Sequence, residues 1–354
     1  MHRKIMINGE FFCRTVTGVE RLAIEVTQAL DSLFTANQAE LIVPKNAVNV
    51  PKLKNIKTII LNKNAVFFPK WTQFDFQTYV LMHKGISFDY SNTCPFFSPG
   101  VEFIHDIYAK LHPEDFISKR DRIIRLYHLI MYKTIAKRAK KILTVSEYTK
   151  KTIVDTYKID PNRIAVVYSG INHYTQIQKD DSIFAQLSIN KDRPFYFTLG
   201  SLSLRKNLKW IANHAELYPN ELFIISGQSL SNFIVPPELD KIKKLKNIIL
   251  TGYLKDEQIK ALLSKCKAFI FPSYFEGFGL PPLEALSCGA KIVISNTTSL
   301  PEIYGKCAYY IDPDNPAINL EELLQHDVSE PAEIIKKYTL INTAKRIHHI
   351  LEEL

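Results

Sequence analysis

Short runs of β-branched and aliphatic residues alternate along the chain with stretches whose apolar positions recur at helical spacing. Lys4–Ile7, Glu40–Val43, Thr58–Leu61, Val101–His105, Ile142–Val145 and Ile164–Val167 each read as a strand. Between the first two, Val19–Phe34 places Leu22, Val26, Ala29 and Leu30 on one helical face. A second series repeats the pattern: Phe195–Leu199, Leu222–Ser226, Ile248–Thr251, Ala268–Phe271, Lys291–Ser295 and Ala308–Ile311. Strands spaced by helices predict α/β architecture with parallel, doubly wound sheets. Two such series predict two lobes, Rossmann-like in each case, over residues 1–172 and 194–337, and 354 residues suit about two domains. The polar, aperiodic residues 173–193 read as the linker, and residues 338–354 as an amphipathic terminal helix. Sheets of this kind hold ligands at the carboxyl ends of their strands, and two that face each other place a site in the cleft between them.

Chemistry concentrates in the second half. In Phe269–Ala285 (FIFPSYFEGFGLPPLEA) an apolar strand runs into Pro272 and a loop with Glu276, Gly277, Phe278 and Gly279; Leu280, Pro281 and Pro282 then open a helix. The glycines allow close approach of a ligand to the backbone, and a helix start favours an anion. Glu276 lies on the loop and Glu284 eight positions later within the helix, two carboxylates able to accept hydrogen bonds from sugar or ribose hydroxyls. Glycine and proline alone would be ordinary turn punctuation; the whole segment is far more specific. Phe197–Leu208 (FTLGSLSLRKNL) ends a strand at Gly200 and sets Arg205 and Lys206 before a helix. Two cations there form a candidate diphosphate clamp, the arginine able to bind bidentately and the lysine acting as a point charge.

The first of these segments resembles the E-x7-E signature of glycosyltransferase family 4, whose members have the two-lobed GT-B fold, and the second resembles that family's G-x-L-x-x-R-K-N phosphate loop. The resemblance implies that Glu284 binds the ribose hydroxyls of a nucleotide. It assigns Glu276 and the backbone of Gly277, Phe278, Gly279 and Leu280 to the donor sugar and its phosphate, with Gly200, Ser201, Arg205 and Lys206 at the diphosphate. Many relatives carry an arginine where this chain has Ser201; Arg205 takes over that role in the R-K-N form. Val101–Phe116 (VEFIHDIYAKLHPEDF) resembles the family's strand-end H-D motif, which implies that His105 projects toward the donor sugar. Ile142–Lys151 resembles its V-S-x-x-S/T segment, where Ser146 is also a plain helix N-cap. Ser295–Gly305 resembles the loop before a P-E turn, with Glu302 favouring a helix start. Gly18, between the first strand and first helix, matches the family's loop over the donor phosphate or acceptor. The terminal helix 338–354 resembles the one that returns to the first lobe.

The implied activity is retaining transfer of a hexosyl or deoxyhexosyl group from a nucleoside-diphosphate sugar to a saccharide or lipid-diphosphate-linked acceptor in cell-surface polysaccharide assembly. The R-K-N form is similar to mannosyl- and rhamnosyltransferases. The nucleotide sugar is a co-substrate, and no cofactor or essential metal is implied. Two other readings are a catalytically silent nucleotide-sugar-binding partner and a nucleotide-sugar epimerase of the same fold; the E-x7-E segment disfavours the epimerase.

Composition adds partners. A net charge of +9 implies attraction to something anionic, and no recognisable nucleic-acid module accompanies it. From Ile117 to Ile142 nine Lys or Arg residues face one acid, Asp121, interleaved with aliphatics and tyrosines, which reads as a basic amphipathic helix able to meet an anionic membrane surface. Cys13, Cys94, Cys266, Cys288 and Cys307 form no CxxC pair and read as small buried hydrophobes. No stretch of about 18 apolar residues spans a membrane. The short N-terminal apolar run, interrupted at Asn8–Glu10, reads as a strand rather than a signal. The expected location is cytoplasmic, extending to the inner face of the cell membrane.

Overall fold

The computed structural model describes residues 3–171, 174, 177–227 and 238–354. Residues 172, 173, 175 and 176, where the sequence places the junction of first lobe and linker, lie outside them. The chain divides into two units, one of Met1–Gly170 with Tyr338–Leu354, the other of Ile171–Lys337.

Unit 1 is a parallel sheet of seven described strands: β1 (Ile5–Asn8), β2 (Ala39–Pro44), β3 (Lys57–Leu61), β4 (Ile86–Asp89), β5 (Val101–Phe103), β6 (Lys141–Thr144) and β7 (Ile164–Val166). Their order is β3-β2-β1-β4-β5-β6-β7, so the winding reverses between β1 and β4, paired through Ile5–Ile86 and Ile7–Phe88. β1, β2 and β4 are buried along their whole length, as strands covered on both faces must be. β4 escapes the sequence pattern because half of it is polar. Ser87 and Asp89 are buried only because neighbours satisfy them: Ser87 Oγ donates to Glu102 Oε1 at 2.6 Å, and Asn8 Nδ2 donates to Asp89 Oδ2 at 2.7 Å.

The basic stretch forms a helix over Lys119–Arg138, with Ser118 as N-cap accepting from the Asp121 N–H at 3.0 Å. It is not amphipathic. Met131, Tyr132 and Ile135 face the core, while Ile123, Leu126 and Ile130 lie exposed on the other side among the cations. The terminal helix, Leu340–Glu352, buries Leu340, Ala344, Ile347, Ile350 and Leu351 and packs against the first helix, Gly18–Asp31. It is tied on by Thr343 Oγ1 donating to Tyr168 O at 2.8 Å.

Unit 2 holds β8 (Tyr196–Leu199), β9 (Phe223–Ser226), β10 (Ile248–Gly252), β11 (Ala268–Phe271), β12 (Ile292–Ser295) and β13 (Tyr309–Ile311), all parallel. The order β10-β9-β8-β11-β12-β13 puts the reversal between β8 and β11. Trp210 anchors the core, its indole N–H shared between Asp312 O and Asn315 O, with His214 stacked 4.9 Å away. Part of the expected linker is ordinary structure of this unit: Ser182–Gln186 is a helix whose Ile183 and Phe184 are buried. Two apolar positions in a polar stretch are too few to show as a period. Among the described residues, no helix is long and apolar enough to cross a membrane.

Candidate functional site

In a doubly wound sheet the reversal point leaves a crevice at the carboxyl ends of two neighbouring strands, because their following loops run apart. In unit 2 those strands are β8 and β11, and the two sequence-selected segments follow them. β8 leads into Gly200, Ser201 and a short 3-10 turn, Leu204–Lys206; β11 leads into Pro272 and the Glu276 loop. The loops are stitched together. Tyr274 N–H donates to Arg205 O at 3.0 Å, and Ser273 Oγ lies 2.8 Å from the same carbonyl oxygen. Lys206 Nζ donates to Glu276 Oε1 at 2.7 Å and stands 4.6 Å from the centre of the Phe271 ring. A second donor, Ser273 Oγ, reaches the same carboxylate oxygen at 2.6 Å. The loop after β12 fixes the main chain of Glu276: its N–H donates to Thr298 Oγ1 at 3.2 Å and its carbonyl accepts from Ser299 Oγ at 3.0 Å.

The pair is nearly dry, with 12% of the Lys206 side chain and 7% of the Glu276 side chain exposed. A buried ion pair of this kind needs partners on both sides, which Ser273 and the Phe271 face supply. An ammonium has three donors, so Lys206 can hold Glu276 and still donate to an anion. Its aliphatic stem runs beside Gly200, where an added Cβ would sit 3.5 Å from Lys206 Cε.

Gly279 caps the helix Leu280–Ser287 at φ 88°, a left-handed conformation that glycine tolerates, and its carbonyl accepts from Tyr304 OH. Pro281 and Pro282 lack N–H groups, so this helix start offers fewer donors than an ordinary one. Gly277 and Phe278 are buried in the loop, and Glu284 is half-buried on the helix, its carbonyl accepting from the Cys288 N–H. Glu302 lies in the first turn of its own helix, Leu300–Tyr304.

In unit 1, His105 follows β5. Its Nε2 lies 2.6 Å from Tyr90 O, so Nε2 carries the proton and donates, leaving Nδ1 as the acceptor. The ring stacks on Phe103 and is buried; burial holds its pKa below the ordinary histidine value, which keeps it neutral. Ser146 is the N-cap of Glu147–Tyr157, accepting from the Thr149 N–H at 3.1 Å. Gly18 is exposed and opens the first helix behind Thr17, with a 3-10 turn, Gly9–Cys13, between it and β1.

Two non-overlapping family models match this chain, "Glycosyltransferase Family 4" over residues 98–174 and "Glycosyl transferases group 1" over residues 179–338. The chain is a glycosyltransferase. It is similar to the O-antigen chain mannosyltransferase RfbU of Salmonella typhimurium, 28% identical over 264 residues, or 71% of this chain and 68% of RfbU. It is also similar to the serotype-specific mannosyltransferase WbdA of Escherichia coli, 32% identical over 181 residues, but that match spans 48% of this chain and only 22% of WbdA. In structure it resembles HepE from Anabaena, solved with UDP and glucose, at a TM-score of 0.71 and 16% identity over the full length of both chains. That likeness establishes the GT-B fold.

The glycosyltransferase also uses residues that sequence reasoning passes over. Asn207, third of the R-K-N triplet, sits at φ 55° and its Nδ2 donates to Pro272 O and Pro313 O, tying the turn after β8 to those after β11 and β13. Its short amide bridges the two carbonyls, and asparagine accepts the left-handed conformation. In unit 1 buried Asn8, Glu10, Thr72 and Asp89, with half-buried Arg14, form a network at the carboxyl ends of β1 and β4. Thr72 Oγ1 donates to Glu10 Oε2 at 2.9 Å, Arg14 pairs with Glu10, and the Arg14 guanidinium lies 4.2 Å over Phe68. Asn8 and Glu10 read in sequence as breaks in an apolar run; only the fold shows that they are interior. The chain's one D-x-D triplet, Asp312–Pro313–Asp314, forms a turn in which the Asp314 N–H donates to Asp312 Oδ1 at 2.9 Å. Among the described residues no three His, Cys, Asp or Glu side chains are grouped to hold a metal ion.

Proposed function

We propose that this glycosyltransferase binds a nucleoside-diphosphate sugar, mannose favoured and rhamnose next, at the carboxyl ends of β8 and β11. It transfers the sugar with retention to a saccharide or lipid-diphosphate-linked acceptor in cell-surface polysaccharide assembly. The observation that carries this reading is the Lys206–Glu276 pair at the reversal point of unit 2. Lys206 and Arg205 stabilise the charge that develops on the departing diphosphate as the C1–O bond breaks. Glu276 holds Lys206 in place and, with the backbone of Gly277–Leu280, takes the sugar hydroxyls and phosphate; Glu284 takes the ribose. Gly200 and Ser201 line the diphosphate, and His105 and Gly18 serve unit 1's side of the reaction. The acceptor hydroxyl attacks C1 from the face that the diphosphate leaves.

Mannose is favoured because RfbU and WbdA are mannosyltransferases; a nucleotide is supported by the UDP bound to HepE, a protein of the same fold. No metal is needed on this reading, since cations of the chain handle the phosphate charge. The test is turnover with a panel of GDP-, dTDP- and UDP-sugars, with and without EDTA. Transfer from one donor, undiminished by EDTA, is expected. Nucleotide binding without turnover on any donor would make the chain a silent partner, and activity restored only by magnesium or manganese would remove the clamp.

A further inference from the structure

The exposed apolar side chains are unevenly placed. Among the described residues twenty large hydrophobics are exposed, seventeen in unit 1 and only Leu217, Tyr253 and Val328 in unit 2. Isolated surface hydrophobics need no explanation. On the basic helix Lys119–Arg138, however, they form a row. Ile123, Leu126 and Ile130 are three and four residues apart, share one face, and are 69%, 58% and 45% exposed. The core is served by other positions, Met131, Tyr132 and Ile135, so the row contributes little to folding. Exposed cations stand on the same side: Lys119 one turn before Ile123, Lys133 one turn after Ile130, and Lys137 one turn beyond.

We propose that this face docks the protein on an anionic lipid surface, the cations in the headgroup layer and the Ile123–Leu126–Ile130 row beneath it. Both halves of the face then have partners. Nucleic acid would take the cations but offers the aliphatic row nothing. A second copy would cover the row but bring like charges together, since the stretch carries nine cations against one acid. Aliphatic side chains set between lysines on one exposed face fit a lipid headgroup layer on both counts.

The test is flotation of the full chain with phosphatidylcholine vesicles, with and without phosphatidylglycerol. It compares wild type, the triple variant I123Q/L126Q/I130Q and the triple variant K119Q/K133Q/K137Q, with thermal melting to establish that each is folded. Wild type should bind the mixed vesicles well above the weak, row-dependent level it shows on neutral ones. Losing each cation should weaken partitioning about fivefold, and losing the row at least about tenfold. Salt near 1 M, where the screening length is about 3 Å, should weaken wild-type binding but leave a remainder that the apolar variant lacks. The proposal is overturned if wild type ignores anionic vesicles, or if the apolar variant binds as well as wild type. A wild-type dimer that the apolar substitutions turn into a monomer, seen by light scattering, would equally overturn it by making the face a contact between copies.

Discussion

Replacing Lys206 with methionine removes one charge of the nearly dry pair and keeps the stem. At 2.7 Å the gross attraction is about 6 kcal/mol at an effective dielectric near 20. Most of that is offset by the desolvation of both ions, so the useful figure is the cost of stranding one partner, about 3–5 kcal/mol for a buried pair. Ser273 Oγ still donates to Glu276 at 2.6 Å and lowers the expectation to about 3 kcal/mol. For a unit of this size that is a melting shift of about 6–12 °C. The companion Glu276→Gln removes the stranded charge, so the double variant should recover most of the loss, with a coupling of at least about 1.5 kcal/mol in the cycle. Urea denaturation of the four proteins measures it. A Lys206→Met protein within about 0.5 kcal/mol of wild type, or strictly additive variants, would refute the view that the pair holds the two loops together.

Gly279→Ala should cost about 2–4 kcal/mol, combining strain at φ 88° with a Cβ only 2.6 Å from Leu300 Cδ2. Gly289→Ala, at φ 81° with open space around it, should cost about 1 kcal/mol by strain alone, and equal urea midpoints for the two would remove the packing argument. Burial, then the neighbouring Glu10 charge, push the Asp89 carboxyl up to about 7. The folded protein therefore keeps a proton that the unfolded chain releases, and this group's contribution to stability falls as pH rises from about 4 to about 7. Asp89→Asn should flatten that descent, and parallel stability–pH profiles for variant and wild type would contradict it.

The alternation of runs was enough to place all six strands of unit 2 within a residue of their observed ends, because strands of a parallel sheet between helices read as near-continuous apolar runs. β4 was hidden for the opposite reason: Ser87 and Asp89 are interior only through partners far away in sequence. Glu276 and Lys206 stood out individually, yet nothing in sequence brings residues 70 positions apart to 2.7 Å; the reversal between β8 and β11 does that. Asn207 looked like the tail of a basic motif, since its work is done through two proline carbonyls on other strands. The basic helix misled in a further way. Charge and apolar content were visible, but which apolar residues face the core depends on packing, and half of them do not.

The central claim is that the carboxyl ends of β8 and β11 hold a nucleoside diphosphate. Calorimetric titration of GDP, dTDP and UDP into wild type, Lys206→Met and Glu284→Ala tests it most directly. One nucleotide should bind wild type, and each variant should bind it about 10- to 100-fold more weakly, the loss of a charged hydrogen bond worth about 1.5–3 kcal/mol. No binding by any of the three nucleotides, or unchanged affinity in both variants while they remain folded, would contradict it.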